Sequence, residues 1–568
     1  MMRKNGGVVS MIKLENLLLN EYFPAELPKC FSTEQAVAKC NKIKGWVGSL
    51  NESNSYPVLY SGFKNEFARR KFAVPNFYHY FKAAQCISDN SAEILKITSN
   101  SKHSLTAPQA GDVGLNRPYN KKSYSKNQTR DYVEALYQDN MYRIKLDINN
   151  FFDSIYTHSI PWALHTKKTA KKNRGNDLLG NKLDKCIRAM NADQTNGVLI
   201  GNAISRIISE IILCTVDSDI EKKYSDLQYV RYVDDYYIFV KDATLVQEVV
   251  SFIRKKLAEY ELVLNENKLQ IDESPFTFGS PWIDELKLFM HNNSELLLNK
   301  AITLYNKYKD IAILKYALKV VSVENIEGIA WDRMESKLYN LWVRFPILTD
   351  LIIKLLLQKK DYIHKNKLKK IIYTNLEKCM ALNWQQELIW VLWSIKIFGV
   401  KIKQDYTLQI LRSNNDLAII ILLDCIDLGI VERTKSVNNE IDNLRRDLEQ
   451  SDTDESGKTG QLMWTSRWLL AYECQLHEWL DLNTDSFSAV KNNSFYKNLL
   501  KENIDFYNGN YGNNMKEERQ IKSDKWQKIL DYVKTLNNEL GQTNEMPEEM
   551  QKEINDLIVM VLEEDEEY

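Results

Sequence analysis

The sequence lacks the markers of several protein classes. Only 20 of its 568 residues are Gly and 11 are Pro, which excludes collagenous and Pro/Gly-rich disordered chains. Eight cysteines, at 30, 40, 86, 186, 214, 379, 425 and 474, include no C-x-x-C pair. That argues against a disulfide framework or a structural zinc site and fits reduced thiols in a cytoplasmic location. Neither sign of charge dominates: Lys+Arg 75 against Asp+Glu 76 leaves a net charge of −1. Any nucleic-acid role must therefore rest on local patches. The longest apolar run, Leu417 to Leu423, stops at Asp424, far short of the ~20 residues that span a bilayer, so no membrane partner is expected. No apolar run follows the N-terminal Arg and Lys, so no secretion signal is expected. Seven histidines are scattered without metal-ligand spacing, and neither a nucleophile elbow nor a Walker loop occurs.

What remains is ordinary for a globular protein, 44% hydrophobic and 27% charged, with length enough for two to four domains. Four zones separate. Residues 1–60 are mixed. Residues 61–285 alternate helical and strand patterns between basic loops. Residues 286–510 read as nearly continuous helix, with apolar positions three and four apart, in the manner of helix pairs stacked as an α-solenoid. Residues 511–568 form a linker and an acidic tail; from Gly541 onward there are ten acidic residues and one Lys. The fold class expected is α+β followed by an all-α helical-repeat region.

Three carboxylates carry the chemistry. Asp147 ends an alternating strand, Tyr142 to Leu146. Asp234-Asp235 sits between two apolar arms, Tyr229–Val233 and Tyr236–Val240, which reads as a hairpin. A plain hairpin turn would more usually hold Asn-Gly or Asp-Gly. If the strands are neighbours, the three carboxylates meet at one sheet edge. Clustered carboxylates repel and are tolerated around a divalent cation; an oxygen-only donor set suits Mg²⁺ or Mn²⁺. Two such ions ~4 Å apart would activate a 3′-hydroxyl and stabilise leaving pyrophosphate.

These residues resemble the motifs of reverse transcriptases. Arg231-Tyr-Val-Asp-Asp-Tyr236 looks like motif C and Lys145 to Asp153 like motif A. Asn196 to Asn202 looks like motif B, Leu264 to Lys268 like motif D, and Phe276 to Gly279 like motif E. The order matches, over about residues 61–285. A narrower resemblance runs through Ala68 to Tyr80, Leu146 to Trp162, Gly201 to Glu210 and Thr465-Ser-Arg467. It is to bacterial abortive-infection polymerases of the AbiK type, in which a helical-repeat domain replaces the thumb. That resemblance implies right-hand-like fingers and palm (61–285), a HEAT-like domain (286–510), and a magnesium-dependent DNA polymerase of antiphage defence. Such enzymes use dNTPs, make single-stranded DNA from a protein primer, some without a template, and assemble as homo-oligomers.

The resemblance also implies roles. Asp147, Asp234 and Asp235 would hold the metal ions, with the Ile148 carbonyl as an extra ligand. Phe152, five after Asp147, would be the steric gate against a 2′-hydroxyl, with Phe151 in the core. Gly197 and Gly201 would let backbone approach the nucleotide; Leu199-Ile200 stands where many reverse transcriptases have Pro-Gln. Arg69, Arg70 and Lys71 would grip triphosphate, and Lys268 would protonate pyrophosphate. Lys167, Lys168, Lys171, Lys172 and Arg174 form a basic loop suited to phosphates. Tyr78 and Tyr80 could stack on bases, with the aromatic core as the favoured role. Of 30 tyrosines, Tyr22 and Tyr568 are priming candidates. The competing readings are a templated reverse transcriptase copying a non-coding RNA, an RNA polymerase, disfavoured by Phe152, and a non-catalytic nucleic-acid-binding scaffold.

Overall fold

The computed structural model describes residues 12–19, 21–48, 54–65, 67–99, 101–108, 133–276, 280–289, 293–323, 326–487 and 494–511. Motif E residues 277–279, the acidic tail and Tyr568 lie outside the described residues.

Alternating apolar residues build two antiparallel sheets. β1 (Val58–Phe63) and β2 (Arg69–Val74) form a two-stranded hairpin with Val58 opposite Val74. β1 crosses the expected boundary at residue 60. The second sheet has the order β4-β5-β3-β6, with β3 Tyr142–Leu146, β4 Gln228–Tyr232, β5 Asp235–Val240 and β6 Gln270–Glu273. Ile144 and Ile238 face each other in register at 0% exposure. Behind the sheet runs the helix Ala203–Lys223, whose Ile204, Ile207, Ile208, Ile211 and Ile212 are buried as their spacing predicts.

Beyond residue 282 the described chain is mostly helical, with longer irregular stretches at 451–461, 477–487 and 502–511. Helices pack on neighbours one or two along the chain: Gly328–Arg344 on Lys365–Ala381, and Lys365–Ala381 on Gln385–Phe398. The array then turns back on the N-terminal half. Gln385–Phe398 packs on β1, and the amides of Ser61 and Phe63 donate to the side-chain oxygens of Gln385 and Gln386 at 2.7 and 3.0 Å. Phe31 pairs with Tyr507 as a β-bridge. Tyr22, Phe77, Tyr78 and Tyr80 share one aromatic core with Trp464, Phe495, Tyr496 and Phe506; the Phe77–Phe506 centroids are 4.8 Å apart. The architecture is thus fingers and palm closed by a helical region. Among the described residues no helix is long and apolar enough to cross a membrane.

Candidate active site

β3 and β5 are antiparallel neighbours, with Leu146 opposite Tyr236. One residue further along each strand, Asp147 and Asp235 therefore lie side by side at the sheet edge. Tyr232 pairs with Asp235 across a two-residue turn, Val233-Asp234, so all three carboxylates share that edge. Burial and the charge of Asp235 push the Asp234 carboxyl up to about 6; burial and Asp147 push Asp235 up as well. The loop before β6 braces Asp147. Its carbonyl accepts from the Asn265 amide (2.8 Å), Asn149 N–H donates to the Val263 carbonyl, and the Lys268 ammonium pairs with its carboxylate. The bridge between Ile148 and Leu264 uses groups of Asp147 and Asn149, which leaves the Ile148 carbonyl outside that ladder. Lys268 is held above its usual range by Asp147. A cleft of about 520 Å³ opens here, lined by Asp147, Asp235, Asn267 and Lys268 among others.

The oxygen-only donor set, with two carboxyls destabilised as anions, fits a divalent cation. Asp147, Asp234 and Asp235 do not close to within 4.8 Å of one another; among the described residues the group that does is Asp332, Glu335 and His364 in the helical region. There the buried Glu335 is already engaged, accepting from Tyr339 and pairing with His364 Nδ1 at 2.6 Å.

The hairpin turn rests on a buried network that its local sequence does not announce. Val233 is held at φ +53°, a costly conformation for a β-branched residue. Its carbonyl accepts from Arg231 Nη1 at 2.8 Å and its amide donates to Thr106 Oγ1 at 3.2 Å. Arg231, fully buried, pairs with Asp217 (2.7 Å) and Glu210 (3.0 Å) from the helix behind the sheet. Ser101 donates to Asp217, and Ser104 and Thr106 donate to Glu210. The sequence signal was faint: two acids seven apart on an otherwise apolar helix face.

The other expected residues divide. Phe151 is in the core at 3% exposure and Phe152 is half-buried beside it. The motif B loop docks on this turn: Val198 N–H donates to the Phe152 carbonyl and Gly197 N–H to the Ile155 carbonyl, both 2.9 Å. Gly197 and Gly201 have φ +83° and +105°. A Cβ on Gly201 would meet Pro24 Cγ at 2.6 Å, so its close approach is to the N-terminal segment. Arg70 and Lys71 are exposed on β2.

Three expectations are corrected. Arg69 is not available to triphosphate, because Glu387 of the helical region binds its guanidinium through both oxygens, at 2.7 and 2.6 Å. Tyr22 does not offer a priming hydroxyl: it is fully buried and donates to the Pro75 carbonyl at 2.7 Å. Tyr78 and Tyr80, by contrast, take the favoured core role, both at 0% exposure. The basic loop is a short helix, Lys167–Lys172, ahead of Arg174. Lys167 lies 3.9 Å from the Trp162 ring centroid and pairs with Glu261, while Lys168, Lys171, Lys172 and Arg174 are exposed.

Residues 96–279, about a third of the chain, match the family model described as reverse transcriptase (RNA-dependent DNA polymerase). The chain contains a reverse transcriptase domain. Solved structures similar to this reverse-transcriptase-containing chain include apo telomerase from Candida tropicalis truncated from its C-terminal domain (14% identity, 43% of this chain, 56% of that chain, TM-score 0.28). Others are telomerase from Candida albicans in complex with a TWJ fragment of telomeric RNA (13%, 71%, 68%, 0.29) and apo telomerase from Candida tropicalis (11%, 71%, 70%, 0.31). The chain spans just over half the length of the first of these. No curated protein matches the chain in sequence.

Proposed function

We propose that the chain is a DNA polymerase of the reverse-transcriptase type, transferring a deoxynucleotidyl group from a dNTP to a hydroxyl with release of pyrophosphate. The observation that carries this reading is the register that sets Asp147 beside Asp235 with Asp234 in the adjoining turn. In this reading Asp147, Asp234, Asp235 and the Ile148 carbonyl hold Mg²⁺ or Mn²⁺. The bound ions supply Lewis-acid stabilisation of the attacking and departing oxygens. Lys268, cationic and aimed at this edge, donates its proton to the leaving pyrophosphate. Phe152 lies under the sugar and excludes a 2′-hydroxyl. Arg70 and Lys71 steady the triphosphate, and the exposed cations of Lys168–Arg174 contact strand phosphates.

The abortive-infection reading goes further and rests on the sequence resemblance. It makes the enzyme a phage-defence polymerase, primed by a tyrosine hydroxyl, working as a homo-oligomer with a single-stranded DNA product. Of the two priming candidates Tyr568 stands; the burial of Tyr22 removes the other.

The test is purified protein with Mg²⁺ and each dNTP separately, with and without nuclease pretreatment, reading product length and attachment. The expected result is labelled DNA, lost on adding a chelator and absent in Asp234→Ala/Asp235→Ala protein that melts normally. Product linked to a peptide supports protein priming. Product whose sequence follows an added RNA supports the templated enzyme instead. Phage protection surviving in the double variant favours a non-catalytic scaffold.

A further inference from the structure

A second dense basic segment lies far in sequence from the palm. Residues 359–370 hold six lysines against one acid, Asp361. Lys359 is largely buried, its ammonium 5.3 Å from the Tyr362 ring centroid. The other five, Lys360, Lys365, Lys367, Lys369 and Lys370, are exposed. Among the described residues none of the five pairs with a carboxylate. Four of them crowd the first turns of the helix Lys365–Ala381, which carries no acid in its first turn. Cations there oppose the helix dipole. Lys365 and Lys369, four apart, repel, as do Lys367 and Lys370, three apart. Folding gains nothing from this arrangement, whereas a bound polyanion offsets both costs.

The strip also offers a ring. Tyr362 is 68% exposed, yet the turn beneath it is fixed. Its carbonyl accepts from Trp331 Nε1 at 3.1 Å, and both the amide and the imidazole of His364 bind the buried Glu335. The ring is thus presented from a rigid turn, as a stacking platform needs. Lys367 also lines an adjoining groove of about 540 Å³ with Ile329, itself 75% exposed. From the strip the helix runs about 20 Å to Lys378, which lies over Trp384; Arg69 of the β1–β2 hairpin lies over the same ring.

We propose that this strip binds a single-stranded polynucleotide, with phosphates on Lys365, Lys367, Lys369 and Lys370 and a base stacked on Tyr362. The inference rests on the polymerase reading for the strand's origin, but its chemistry is independent of catalysis.

The experiment measures anisotropy of fluorescein-labelled oligodeoxythymidine and oligouridine 30-mers with full-length protein across a salt series. Replacing the four lysines by glutamine (K365Q/K367Q/K369Q/K370Q) is expected to weaken binding at least tenfold. It should also flatten the plot of log affinity against log salt by about 2–3, from ~0.7 per phosphate contact. Tyr362→Ala is expected to weaken binding about tenfold with the salt slope unchanged. A 5-iododeoxyuridine oligomer should photo-crosslink to the peptide containing Tyr362. The DNA and RNA arms distinguish which strand is held. Equal binding by wild type and the four-lysine variant overturns the proposal, as does equal competition by polyglutamate of the same charge. If wild type incorporates dNTPs while the variant binds normally, the strip fails and the polymerase stands. If wild type incorporates nothing while the variant loses binding, the polymerase fails and the strip stands.

Discussion

Asp234 sits where burial and the charges of Asp235 and Asp147 all oppose its own, and its carboxyl is pushed up to about 6. In chelator-treated protein the native state then binds a proton more tightly than the unfolded chain does. The cost of the charge is present above pH 6 and is relieved as pH falls from 6 through 4. Asp234→Asn should therefore be more stable than wild type at pH 7, by about 1 kcal/mol once solvent screening is counted, and equal to it near pH 4. Urea titrations at both pH values in EDTA check this; a variant less stable at pH 7 refutes it. The adjacent phenylalanines give a second contrast. Phe151→Ala empties a core site and should cost about 3–5 kcal/mol. Phe152→Ala should cost less and instead lower discrimination between dNTP and NTP at least tenfold in single-nucleotide incorporation. Sequence reasoning saw that one of the two must be core; the structure makes it Phe151 and leaves Phe152 half-buried beside it. The availability of Arg69 was beyond such reasoning, because its partner Glu387 lies 318 residues away.

Among elements, the β4–β5 hairpin was legible and its support was not. Apolar arms around Asp-Asp are a local pattern, and strand alternation carried Asp147 to the neighbouring strand's end. The buried ion network under the turn joins residues 101–106, 210, 217 and 231, which no local pattern links. Its energetics separate stability from geometry. Arg231→Met leaves Glu210 and Asp217 buried without their cation and should cost about 3–5 kcal/mol. The triple change Arg231→Met/Glu210→Met/Asp217→Leu removes the unpaired charges and should recover most of that loss. Its Val233 carbonyl still lacks the Arg231 bond, so nucleotide incorporation should stay at least tenfold down. Denaturation midpoints and incorporation rates on the same three proteins decide it; activity returning with stability would reduce the network to a structural role.

At the scale of the molecule, helical zone and polymerase zone read as separate units in sequence because their periodicities differ, while their joint core is made of residues hundreds of positions apart. Tyr22, Phe77 and Tyr78 pack on Phe495, Tyr496 and Phe506, and the edge of β1 is capped by Gln385 and Gln386. Burying one large aromatic is worth about 1.5–3 kcal/mol, so exposing these three together costs about 4.5–9 kcal/mol, comparable with the roughly 5–15 kcal/mol that typically holds a protein folded. A chain ending at residue 285 should therefore show no cooperative melting transition alone, and hydrophobic-dye binding should reveal the uncovered aromatics. Coexpression with residues 286–568 should restore one transition and the wild-type dye signal, because the interface is complementary without the covalent link. Calorimetry of the fragment, the coexpressed pair and the intact chain measures this. A fragment that melts cooperatively by itself would mean that the fingers and palm hold their own core and that the helical region is only docked upon it.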